Sequence, residues 1–419
     1  MAALLLVGLV LALLFLRQSL IVILFGVGAY VHLVWGQGRL EYMIEDMWNG
    51  ADKEVLLAIP LFILAGSVMT RGAIAQRLIA ILVALSRPVA GGLAVATVLS
   101  CASFAAISGS SPVTMLAVGS IMYPALLKHG YGRKFALGVV CSGGTLGIII
   151  PPSIPMIIYG IVTETSVTDL FVAGIGPGLL LTALLAFYSW WANRDKPAER
   201  FDPAELRRAL RQGIWAALMP AILLGGVYSG YFTATESAAV ALVYALLIEV
   251  FVHRELRLTD FGHIAIETVK TLGTLFPVLA IAFSLNLLLA AERVPNLLID
   301  WMTALIQNPW AFLLGVNLFL LILGCLMDVS SALLITAPLL LPLARAYGFD
   351  PVHFGIVMVV NLEIGFLTPP VGINLIVAMS AFKENFLLIC RAVVPFILLM
   401  LLGLAAVSAF PAIALFLVR

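Results

Sequence analysis

The sequence predicts an all-α polytopic membrane protein, and three observations carry that prediction. Of its 419 residues, 63% are hydrophobic and only 11% are charged, against roughly 45–50% apolar and about 25% charged in a soluble domain. The apolar residues fall into runs near the roughly 20 that a helix needs to cross a hydrocarbon core of about 30 Å. Lys and Arg gather in a few loops between those runs. A formal net charge of +1 supplies no basic field for nucleic acid and excludes that partner; the partner the composition requires is the lipid bilayer.

Taken in order, full spans are expected at about 2–16, 19–36, 55–70, 167–193, 214–230, 236–252, 263–286 and 386–417. Ala2 to Leu16 has no basic residue ahead of it and no small-residue cleavage pattern behind it, so it reads as a retained span. Thr233-Ala234-Thr235-Glu236-Ser237 reads as a polar cap on the span beginning there. Between Arg194 and Gln212, charged residues interleaved with Phe201, Leu206 and Leu210 suggest a short amphipathic helix on the cytoplasmic surface, linking two halves. Cys101, Cys141, Cys325 and Cys390 sit in apolar segments without metal-type spacing and read as packing residues. The five histidines show neither metal spacing nor a nucleophile–base pair, so no catalytic residue is expected and the chain does not read as an enzyme.

Two regions break the pattern of simple spans. From Gly91 to Gly160 the breaks are Ser108-Gly109-Ser110-Ser111-Pro112, then Lys128 to Lys134, then Pro151-Pro152. From Phe312 to Ser380 they are Asp328-Val329-Ser330-Ser331, then Arg345 to Pro351, then Thr368-Pro369-Pro370-Val371-Gly372. Each region reads as a re-entrant helical hairpin followed by a helix broken near its middle. Pro124, Gly130, Gly147, Pro151 and Pro152 match Pro342, Gly348, Gly365, Pro369 and Pro370 at one offset, since 342 − 124 and 370 − 152 both equal 218.

Cytoplasmic loops carry the Lys and Arg excess. Arg194, Lys196, Arg200, Arg207, Arg208 and Arg211 share one loop, and Glu164 with Asp169 marks the opposite face. Counting crossings from there puts both termini in the periplasm, opens the first hairpin inward and the second outward, and leaves Arg345 as an outward exception. The two copies then form an inverted repeat, a common plan in carriers that bind at the midplane. The division that follows is 1–90, scaffold helices and an arm; 91–163, first repeat; 164–311, scaffold helices with linker 194–213 and a second arm; 312–382, second repeat; 383–419, a C-terminal membrane helix.

Irregular backbone at membrane depth survives only where it is buried in protein or lines a wet cavity, so the breaks mark the site. Free carbonyls at a half-helix end suit a cation, and free N–H groups at a half-helix start suit a carboxylate. A first cation site is assigned to Ser108, Gly109, Ser110 and Ser111 with Thr145 and Gly147 facing them. A second uses Asp328, Ser330 and Ser331 with Glu363, Gly365, Thr368 and Gly372. Pro151, Pro152 and Ser153, with Pro369, Pro370 and Asn374, are the candidate substrate contacts. Glu363 is either a ligand or a partner for backbone freed by the prolines, and Asn361 and Asn374 either orient a substrate or satisfy carbonyls.

These motifs resemble the large membrane subunit of tripartite ATP-independent periplasmic transporters over essentially the whole chain. The resemblance rests on Ala58-Ile59-Pro60-Leu61-Phe62 with Ala65-Gly66, on Ile107-Ser108-Gly109-Ser110-Ser111, and on Ile150-Pro151-Pro152-Ser153-Ile154-Pro155 ahead of Tyr159-Gly160. Phe232-Thr233 with Thr235-Glu236, and Thr368-Pro369-Pro370-Val371-Gly372-Ile373-Asn374, complete it. It implies a bacterial inner-membrane, Na⁺-coupled importer of small organic acids such as C4-dicarboxylates, working as an elevator. It further implies a separate small Q membrane subunit and an extracytoplasmic substrate-binding P subunit. Pro112, directly after the first tip, departs from the small or aliphatic residue expected there. The competing reading is a stand-alone divalent-anion/sodium symporter, which would share the hairpins and need no binding protein.

Overall fold

Backbone surrounded by hydrocarbon has to satisfy its own N–H and C=O groups, and this chain does so with helices. The computed structural model describes residues 2–418, with side chains for all but Ala3 and Leu258; Met1 and Arg419, the outer limits of the first and last predicted regions, lie outside that range. Among the described residues there is no β-strand, and nine helical segments are long and apolar enough to cross a membrane.

Six predicted spans correspond to helices at Ala2–Phe15, Leu20–Val34, Ala58–Arg71, Val167–Trp191, Ala234–Leu247 and Phe386–Ala409. The predicted 386–417 span ends early: the helix closes at Ala409, and a short turn, Ala412–Leu415, follows Pro411. The separate amphipathic helix expected in the linker does not exist as such. Asp202 caps a helix that runs unbroken over Pro203–Tyr228 and joins the linker to the span. Gly213 lies within it, and its missing Cβ lets the helix lie against the Arg77 carbonyl and Ile81. The predicted 263–286 span is the middle of Leu258–Ala291, 34 residues and about 51 Å long at 1.5 Å per residue.

Three shorter helices join the spans: Leu40–Ala51, Ile74–Ser86 and Val294–Leu305. The last two each lead directly into a hairpin region. The first region holds Gly92–Ser108 and Ser111–Lys128, then Arg133–Gly144, Leu146–Ile149 and, after the prolines, Ile154–Thr163. The second holds Pro309–Leu326 and Val329–Ala346, then Pro351–Phe366 and Ile373–Phe382. Helix starts recur at the offset of the proline pattern: 329 − 111 and 351 − 133 both equal 218. Pro151-Pro152 and Pro369-Pro370 are both cis.

The two regions interlock. Ile154–Thr163 of the first packs on Val329–Ala346 of the second, while Ile373–Phe382 of the second packs on Ser111–Lys128 of the first. Glycines make room for these crossings: a Cβ on Gly355 would strike the Tyr159 ring and one on Gly119 the Phe382 ring. The Tyr159 hydroxyl donates to the Pro351 carbonyl at 2.8 Å. All four cysteines are buried and free.

Candidate functional site

The first tip is a two-residue break between helices. Gly109 closes Gly92–Ser108 in the left-handed region at φ +61°, a conformation that suits a residue without a Cβ. Ser110 is extended, and Pro112 falls in the first turn of Ser111–Lys128, where its missing N–H costs no helical hydrogen bond. The unexpected proline therefore leaves the tip helix whole. The Ser108 hydroxyl lies 2.5 Å from the Thr114 hydroxyl and donates to the Ser110 carbonyl at 3.3 Å. Gly147 packs against that same carbonyl and against Thr114, with no room for a Cβ. Thr145 is not brought to the tip by its side chain: its hydroxyl donates to the Ser142 carbonyl at 2.5 Å and faces Met400 of the C-terminal helix.

In the second tip, Asp328 caps Val329–Ala346, its Oδ2 accepting from the Ser331 N–H at 2.9 Å. Behind it, Gly324 and Gly365 bring two helix backbones together so closely that neither tolerates a Cβ. Thr368 turns its hydroxyl back to the Ile364 carbonyl at 2.6 Å. Gly372, at φ +50°, donates its N–H to the Cys325 carbonyl at 3.1 Å. The first region has the same lacing: the Ile154 N–H donates to the Gly109 carbonyl at 3.3 Å, and 372 − 154 is again 218.

The prolines place backbone rather than side chains. The Pro152 carbonyl lies against Gly109, and the Ser153 hydroxyl caps Ile154–Thr163 by accepting from the Met156 N–H at 3.4 Å. Pro369 and Pro370 form the more exposed counterpart of that turn. Asn374, fully buried, donates to the Ser111 Oγ at 2.5 Å and to the Glu363 Oε1 at 3.3 Å. A carboxylate assigned to the second cluster therefore meets a serine assigned to the first.

Both tips open on one cavity of about 550 Å³, whose wall includes Ser108, Gly109, Ser110, Ser111, Asp328, Ser330, Ser331 and Glu363. The opposite wall comes from other helices, through Gly66, Ser67, Thr271 and Thr274. Gly365, Thr368 and Gly372 lie off this wall and act through packing and backbone bonds. Thr114, Ser67, Thr271 and Thr274 went unrecognised in the sequence. Of these, only Thr114 had a local signal, one helical turn beyond Ser111 on the same face.

The cavity wall is largely apolar, and its hard oxygen ligands are concentrated at the two tips and Glu363. Glu363 is 0% exposed, and its Oε2, like the Asn374 Oδ1, has no hydrogen-bond partner among the described residues. A buried oxygen of that kind is costly unless something pairs with it. Asn361 donates to the Asn317 carbonyl and side chain, at 2.9 and 2.6 Å, and serves helix packing, although its own Oδ1 is likewise without a partner among the described residues.

Residues 1–413 match the family described as "Tripartite ATP-independent periplasmic transporter, DctM component". The chain belongs to the DctM family. It is 42% identical over 391 residues to the C4-dicarboxylate TRAP transporter large permease protein DctM of Pseudomonas aeruginosa, covering 93% of this chain and 92% of that one. It is 38% identical to the isethionate TRAP transporter permease protein DctMQ of Oleidesulfovibrio alaskensis, spanning 91% of this chain and 61% of that longer protein. Among solved structures, the YdaH transporter of Alcanivorax borkumensis superposes with a TM-score of 0.61 at 15% identity, over 91% of this chain and 90% of that one, a likeness of fold alone. This DctM-family chain is thus a multi-pass membrane component of a transporter and not an enzyme.

Proposed function

We propose that this chain is the large membrane subunit of a sodium-driven importer of a small organic acid. The observation that carries this reading is the convergence of both hairpin tips and Glu363 on one cavity. Ser108, Ser110, Ser111, Asp328 and Glu363 supply the oxygen ligands a hard cation takes. The half-helix start at Ile373 supplies N–H groups for a carboxylate, with Asn374 beside the cation ligands. A C4-dicarboxylate is the leading substrate class, from the name of the Pseudomonas relative.

In this reading, residues 91–163 and 312–382 form an inverted repeat that moves as one body against a scaffold of 1–90 and 164–311, with Ile74–Ser86 and Val294–Leu305 as arms. The reciprocal packing of the two regions supports a single moving body. The system further includes a small Q subunit and an extracytoplasmic binding protein. A relative named DctMQ is in keeping with a Q component in such a system. Each sodium ion entering down a tenfold gradient contributes about 1.4 kcal/mol, and about 2.3 more at 100 mV.

The test is the melting of the detergent-purified protein in Na⁺ against K⁺ and choline at matched ionic strength. Sodium at a hundred times its dissociation constant adds about 2.7 kcal/mol to the folded state. The expected result is a sodium-specific rise in Tm that shrinks in Ser111→Ala and Asp328→Ala. Equal melting in the three salts overturns sodium binding and turns attention to protons carried by Asp328 or Glu363.

A further inference from the structure

A second cavity, of about 290 Å³, lies away from the hairpin tips, between Lys53, Phe283 and Asn286 on one wall and Pro342 and Arg345 on the other, with Glu164 at its edge. That volume is close to the lower limit of small-molecule sites. The Lys53 ammonium is held 4.9 Å from the centre of the Phe283 ring. The Asn286 Nδ2 is buried and has no acceptor among the described residues. No carboxylate among the described residues forms an ion pair with Lys53 or with Arg345. Two cations and an unused amide donor thus share a cleft with one exposed carboxylate, Glu164. Arg345, like Lys53, is a basic residue that the expected layout places outside, against the charge bias of the loops.

We propose that this cleft is a way-station for a small carboxylate on its path to the hairpin tips. Arg345 and Lys53 attract the anion, and the Asn286 amide fills one of its acceptor positions. Two cations against one exposed carboxylate leave the cleft lining net positive, and a positive lining raises local anion concentration and on-rate by about tenfold or more. The cleft joins a hairpin helix, Val329–Ala346, to scaffold residues, so an anion there touches both proposed bodies. That the anion is cargo rests on the transport reading.

The test reads the cleft without transport. In the purified full chain, Leu289→Cys on the cleft wall is labelled with anionic and with cationic methanethiosulfonates, with and without millimolar succinate. The unmodified protein, whose four cysteines are buried, sets the background. The expected result is labelling about tenfold faster by the anionic reagent, slowed by succinate but not by sulfate at equal ionic strength. Adding K53Q and R345Q should bring the two rates together and abolish protection while Tm stays unchanged. Equal rates in the starting variant, a preference that survives the double substitution, or equal protection by sulfate would each overturn the proposal. A sodium-insensitive Tm with a succinate-protected cleft would instead count against the transport reading alone.

Discussion

Asn374 is the side chain on which the two regions meet, since its single amide nitrogen serves both Ser111 and Glu363. Asn374→Ala removes that donor and leaves the Glu363 carboxyl with neither oxygen paired by an amide. We expect a loss of about 1–3 kcal/mol, the usual cost of stranding a buried polar group, seen as a lower Tm in every salt. Gly147→Ala tests the first tip differently, because the added methyl has to displace the Ser110 carbonyl or Thr114. Overpacking of this kind costs about 1–3 kcal/mol. The decisive measurement is sodium dependence: the sodium-induced rise in Tm should fall more than Tm in choline does. A change equal in both salts would mean that Gly147 serves packing only.

Between elements, one ion-pair cluster ties the regions together at the end away from the tips. Glu384, 6% exposed at its side chain, accepts from the Tyr123 hydroxyl at 2.5 Å and from Arg133 at 2.7 Å through each carboxylate oxygen. It thereby joins the loop after Ile373–Phe382 to Ser111–Lys128 and Arg133–Gly144, the two helices that flank the turn at 129–132. Burial alone would raise the Glu384 pKa, but the hydrogen bonds from Arg133 and Tyr123 and the Arg133 charge outweigh it and hold it below its ordinary 4.5. A carboxylate with a depressed folded pKa stabilises fully above its unfolded value and loses that stabilisation as pH falls through the folded one. Glu384→Gln should therefore melt lower than the wild type by a constant margin above about pH 5, with the margin closing as pH falls below about 4. A margin independent of pH would assign the cluster to packing. This lacing had no signature in the sequence, since Glu384 is 251 residues from Arg133. The breaks were legible because prolines and glycines mark them locally and recur at 218. The helices Leu40–Ala51, Ile74–Ser86 and Val294–Leu305 were not, because 12 or 13 residues fall short of a span, and their helicity depends on neighbours rather than on an apolar run.

Across the whole molecule, the orientation of every site depends on which end of Val167–Trp191 faces the cytoplasm. That helix is the only one between Glu164 and Arg200, and at 25 residues it is about 37 Å long, enough to place the two residues on opposite faces. If Arg194, Lys196, Arg200 and the arginines that follow lie inside, as the Lys and Arg excess of cytoplasmic loops predicts, then Glu164, and with it the Lys53–Arg345 cleft, lies outside. Glu164→Cys and Arg200→Cys replace exposed residues, the first in a turn and the second in an irregular segment, and add a reactive thiol to a chain whose own cysteines are buried. In intact cells, a membrane-impermeant maleimide should label the first and spare the second until the membrane is opened. The reverse pattern would turn the molecule over. The first hairpin would then open outward, the Lys53–Arg345 cleft would face the cytoplasm, and a carboxylate held there would be leaving the hairpin tips rather than approaching them.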